Sequence, residues 1–120
     1  MKKTLILTLA FILISNLTFA AGGDSGSSSK KASMYDEAVK LIKRAGKLEK
    51  KDNTDKAVKL YKEAFIKLEK ANKKDKDNPD ILNYMGFTSR KSGNFDDAEK
   101  FYLKGLSLNP KHNGINEYLG

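Results

Sequence analysis

A chain of 120 residues with 23 Lys+Arg against 15 Asp+Glu carries a formal charge of +8, one histidine and no cysteine. The lack of thiols excludes disulfides, cysteine nucleophiles and lipid attachment at a cysteine. A solitary histidine leaves no partner with which to share a metal, so attention moves from catalysis to packing and surface charge.

The chain opens on a segment unlike the rest. Lys2 and Lys3 precede an apolar run from Leu5 to Leu17, and Thr18-Phe19-Ala20 offers small residues where a signal peptidase needs them. This pattern predicts a signal sequence over 1–20, cleaved near Ala20, and hence an exported chain, periplasmic or extracellular. Thirteen residues fall short of the roughly 20 that span a bilayer. Residues 21–33, AGGDSGSSSKKAS, have the composition of a flexible linker. A helical domain is expected over 34–120.

Helical periodicity then dominates. Tyr35, Ala38, Val39, Ile42 and Ala45 recur at three and four, followed by Leu48 or Glu49; so do Ala57, Leu60, Tyr61, Ala64, Leu68 and Ala71. KDNTDK separates the two runs, with Asn53 or Thr54 as the expected N-cap. A second hairpin begins at DNPD, where Asn78 can cap and Pro79 suits the first helical position because its missing N–H has no partner there in any case. Ile81, Leu82 and Met85 give this helix its apolar stripe, and Gly93 is free to take the left-handed conformation that ends it. The next helix, about 95–107, is expected to bury Phe95, Ala98, Phe101, Tyr102 and Leu106 before Asn109-Pro110 stops it. No alternating β-branched run competes. The fold class is all-α, built of antiparallel helix hairpins.

Gly86 and Ala98 place small residues on the two helices of this hairpin, which predicts a close approach of their axes flanked by Met85, Phe95 and Tyr102. The pattern recurs: NGINEYLG at 113–120 echoes PDILNYMG at 79–86 with a shift of 34, the mark of a helical repeat array. Leu82, Met85, Gly86, Gly93, Phe95, Ala98, Tyr102 and Pro110 resemble the signature of the tetratricopeptide repeat family. The resemblance covers one repeat at about 79–112, the opening of another at 113–120, and a weaker one at about 35–75. In the weaker repeat, TDKAVKLYKEA matches FDDAEKFYLKG at a shift of 41, seven more than the period. Seven residues are two helical turns, so its second helix should be longer by roughly 10 Å with its face preserved. Ala45 stands there in place of glycine at the close contact.

The resemblance implies a short α-solenoid, a scaffold without catalysis or cofactor that binds a peptide or protein on the concave face formed by the first helices. On 79–92, Asp80, Asn83, Phe87, Arg90 and Lys91 fall on one side at helical spacing. Asn83, Phe87, Arg90 and Lys91 are the expected partner-binding residues, Phe87 as an apolar anchor unless it packs on the preceding repeat. The family's clamp for chaperone C-terminal carboxylates resembles lysines, asparagines and an arginine on first helices. The matching places here hold Ile42, Gly46, Tyr84, Gly114 and Tyr118, none of them cationic. His112 reads as a surface-loop residue. A calcium loop in DKDNPDILNYMG is excluded by Pro79, Asp80 and Gly86 at required positions. No catalytic residue, metal site or cofactor is expected.

Charge is uneven. Residues 21–78 hold 16 Lys+Arg against 10 Asp+Glu, and residues 79–120 hold five of each. The alternative function is therefore a basic protein that meets an anionic membrane or cell-wall polymer through its lysine-rich first hairpin. Lysine rather than arginine supplies most of the charge, and acids are interleaved. Export argues against a nucleic acid partner. Ile115, Tyr118 and Leu119 have no following helix in the sequence, for which the expectation is a truncated reading frame, with a stub cap or self-association through the C-terminal partial repeat as the alternatives.

Overall fold

The structure, a computed structural model, describes residues 31–119. The expected signal sequence, most of the expected linker and Gly120 lie outside the described residues. Five helices follow in order: α1 (Met34–Glu49), α2 (Thr54–Lys74), α3 (Pro79–Lys91), α4 (Phe95–Leu108) and α5 (Asn113–Leu119). No strand occurs among the described residues. The all-α reading holds.

The helix starts fall into two kinds. Each odd-numbered helix is opened by a side chain that satisfies one of its unpaired amides. Ser33 accepts from the Asp36 amide at 3.1 Å while the Asp36 carboxylate accepts from the Ser33 amide and hydroxyl, a complete capping box. Asn78 accepts from the Asp80 amide at 2.9 Å, ahead of Pro79 at the first helical position. His112 Nδ1 accepts from the Ile115 amide at 3.2 Å, and its Nε2 lies 2.8 Å from Asp80 Oδ1. Neutral imidazole with Nδ1 accepting carries its proton on Nε2, which it donates to Asp80. His112 is thus a capping residue whose side chain is 11% exposed, not the plain loop residue that its position after Pro110 implied. Asn53 and Asn94 stand at the starts of α2 and α4 without a side-chain cap bond.

Consecutive helices pack antiparallel, and ring contacts between Tyr35 and Tyr84 and between Phe87 and Tyr118 bring α1, α3 and α5 side by side in one layer, with α2 and α4 behind. Ala38, Ala45, Ala57 and Ala64 are wholly buried, which lets α1 and α2 approach closely around Tyr61 and Leu68. α2 has 21 residues and α4 has 14. The base of the seven-residue extension is packed, for Leu68 is fully buried and Lys67 Nζ reaches Glu37 Oε2 at 2.6 Å.

In the second hairpin the glycine matters. A Cβ on Gly86 would lie 2.5–2.8 Å from the ring of Tyr102, so only glycine lets that ring lie flat on α3. Gly86 therefore faces Tyr102 directly, where the sequence placed Tyr102 on its flank. Gly105 plays the same part for Ile115, whose Cδ1 occupies the space a Cβ would take. Phe95 is a correction: it is 66% exposed. It stands at the first position of α4, past the end of α3 at Lys91, where no turn of α3 remains to cover it. Phe101 and Leu106 are half-buried, and Ile115, expected to lack cover on its far side, is fully buried.

Candidate binding face

The α3 side chains singled out in the sequence are mostly held by neighbouring helices. Asn83 packs its amide against Gly114, where a Cβ would lie 2.9 Å from Nδ2. Phe87 sits between Tyr61, edge to face at 5.7 Å, and Tyr118 at 5.4 Å. The guanidinium of Arg90 lies 5.1 Å from the Tyr118 ring centroid, within cation–π range. Lys91 Nζ binds both carboxylate oxygens of Glu49, at 3.1 and 3.0 Å, and lies near the rings of Tyr61 and Phe87.

The four α3 residues expected to meet a partner are therefore on one face, as their spacing required, but their exposure differs from the expectation. Phe87 is half-buried and belongs to the aromatic seam joining α2, α3 and α5. Lys91 is half-buried and ion-paired; Asn83 is half-buried; Arg90 remains exposed. The reason is geometric: the same side of α3 that would face a ligand also borders α1, α2 and α5, and the longer side chains fold onto those neighbours.

A second part of this face escaped the sequence reading. Tyr35 and Tyr84 meet edge to face at 5.8 Å and, with Ala32, Asp36, Val39, Lys40 and Lys43, line a shallow depression of about 440 Å³. Tyr35 fits the apolar periodicity, and Tyr84 entered as a non-cationic place in the carboxylate clamp; both are half-buried. Burial, then Tyr84 and the carboxylates of Asp80 and Asp36, push the Tyr35 phenol up, which keeps it a neutral hydroxyl at physiological pH. Among the described residues no group of three or more His, Asp or Glu side chains is arranged to hold a metal.

The family model of the tetratricopeptide repeat matches residues 79–112. Neither the comparison with curated proteins nor that with solved structures gives a match. The matched segment takes in α3, α4 and the connection up to the His112 cap of α5. Antiparallel pairing of α3 with α4 and the seating of Tyr102 on Gly86 give that segment the helix hairpin its signature describes, so residues 79–112 form a tetratricopeptide repeat.

Proposed function

We propose that this protein is an exported, non-catalytic scaffold that binds a peptide or protein partner on the concave face formed by its first helices, α1, α3 and α5. Repeats of this kind generally bind proteins or peptides. The observation that carries the reading is the side-by-side seating of the three helices through Tyr35–Tyr84 and Phe87–Tyr118. Asn83, Phe87, Arg90 and Lys91 are the proposed α3 contacts. Held by rings and by Glu49, Arg90 and Lys91 lose less side-chain freedom on binding than free chains would. The partner's acceptors meet Arg90, and its apolar side chain meets the exposed edge of Phe87.

The test is crosslinking of the exported chain in cells, followed by mass spectrometry, for wild type and an Asn83→Ala/Arg90→Ala variant whose thermal midpoint is measured alongside. One dominant protein lost from the folded variant supports the reading. Retrieval of membrane or wall polymer, unchanged in the variant but removed by salt, would replace it with surface association through the basic first hairpin, which the excess of 16 Lys+Arg over 10 Asp+Glu in residues 21–78 favours. The same sample, sized by mass, reports cleavage after Ala20. Sedimentation tests self-association through the partly exposed Tyr118 and Leu119.

A further inference from the structure

The charges of α1 are divided in a way that composition conceals. All three of its acids are committed within the molecule: Asp36 to the Ser33 cap, Glu37 to Lys67, and Glu49 to Lys91 and the Tyr61 hydroxyl. Its cations are not. Lys40, Lys43, Arg44 and Lys47, with Lys50 and Lys51 in the turn beyond, take part in no ion pair among the described residues. Lys40, Lys43 and Lys47 recur at three and four and so form a row along one side of the helix. The row starts in the wall of the depression lined by Tyr35, Val39 and Tyr84. A strip of uncompensated positive charge thus borders an aromatic hollow.

We infer that this part of the face docks an acidic segment of a protein partner, with its carboxylates along Lys40, Lys43 and Lys47 and one aromatic or aliphatic side chain seated against Tyr35, Val39 and Tyr84. Charge complementarity selects the acidic character, and the hollow selects a polypeptide over a polyanion. A phosphate-rich polymer or lipid surface would leave the aromatic hollow unused, and five of the six free cations are lysine, whereas phosphate readers favour the arginine fork. On α2, by contrast, Asp55, Glu63 and Glu69 interrupt the lysines. The inference deepens the protein-binding reading above and depends on it.

The probe is a short fluorescein-labelled peptide of glutamate and serine with one central phenylalanine, followed by anisotropy against the full mature chain. Two companions replace that phenylalanine by serine or the glutamates by lysine. The expected result is saturable binding of the first peptide only, weakened about tenfold by Lys40→Glu/Lys43→Glu/Lys47→Glu, the sum of three exposed ion pairs at ordinary strength. The equal charge change Lys56→Glu/Lys59→Glu/Lys62→Glu on α2 should leave it within about twofold. All these positions are exposed, so the variants retain the fold, which circular dichroism checks. Equal weakening by both triple variants, or equal binding of the serine peptide, would overturn the inference. If no peptide binds while a crosslinked partner still depends on Asn83 and Arg90, the inference fails and the scaffold reading stands. Binding of phosphatidylglycerol vesicles instead of the peptide, abolished by the α1 variant, would overturn both.

Discussion

Tyr61 of the first hairpin and Tyr102 of the second hold the same register of their second helices, 41 residues apart, and close their hairpins differently. Tyr61 lies 4.0 Å by its hydroxyl from the Cβ position of Gly46 and donates that hydroxyl to Glu49 Oε2 at 3.0 Å. Tyr102 presses its ring onto Gly86, stacks on Tyr118 at 5.6 Å, and keeps a buried hydroxyl that has no hydrogen-bond partner among the described residues. The turns differ in the same sense. Asp52 takes φ 57° in the first hairpin where Gly93 takes φ 85° in the second. One hairpin is closed by polar bonds and accepts a strained aspartate; the other is closed by shape and uses glycine where the ring and the turn require it. Steric closure of this kind restricts the residue type at the contact, because nothing larger than glycine leaves room for the ring. The hairpin closed in this way is the one that matches the family model, at residues 79–112.

Substitution of the two glycines tests that contrast most strongly. Gly86→Ala must displace the Tyr102 ring and should destabilise by about 1–3 kcal/mol. Gly46→Ala meets nothing closer than 4.0 Å and should stabilise by about 0.5–1 kcal/mol through helix propensity. Opposite signs in urea unfolding are expected; equal signs would break the comparison. Removing the hydroxyls is the next step down. Tyr61→Phe should lose about 1 kcal/mol with its bond to Glu49, whereas Tyr102→Phe should stay within about 0.5 kcal/mol, since it removes a buried hydroxyl without a bonded partner. Burial pushes both phenols up, with Glu49 adding to the effect at Tyr61 and the Arg90 cation opposing it at Tyr102.

Acid provides the smallest and most local effect. Hydrogen bonds from Ser33 hold the Asp36 carboxyl below the usual carboxylate range, and Lys67 does the same for Glu37. Folded values below unfolded ones mean that this stability is present above about pH 4 and is lost as pH falls through the lowered values. Helicity of the first hairpin should therefore decline on acidification, and Ser33→Ala should flatten that decline. The Asn78–Pro79 start of α3 uses an amide, so its cap does not titrate. Amide exchange resolved by residue separates the two.

Much of this fold was legible because its punctuation is chemical. Asn78 through its side-chain amide, and Pro79 and Gly93 through their backbones, mark the limits of α3, and the seven-residue surplus between shifts of 41 and 34 reappears as the difference between α2 and α4. Phe95 was misread because periodicity assigns a face but not whether a neighbouring helix still runs opposite it. Phe87 carried two readings, packing on the second helix of the preceding repeat or anchoring a partner, because its spacing is shared by neighbour-facing and ligand-facing residues; its contact with Tyr61 of α2 is the packing, and Tyr118 joins it through the way the hairpins stack. His112 carries no helix-start signal by residue type, and its capping role needs Asp80 brought 32 positions across the chain to fix the ring. The Tyr35–Tyr84 hollow has the same origin, two residues of separate repeats made adjacent by stacking alone.

The layer of first helices has a mechanical consequence. Ala38, Ile42 and Ala45 of α1, the buried face of α2, and Ile81 and Met85 of α3 belong to one core cluster, so buried apolar packing ties the first hairpin to α3 beneath the Tyr35–Tyr84 pair and the Lys91–Glu49 ion pair. Spreading the first hairpin from α3 would therefore open part of a close-packed core and not surface contacts alone. A partner seated across α1 and α3 would meet a surface braced from below by a shared core, its width set before the partner arrives.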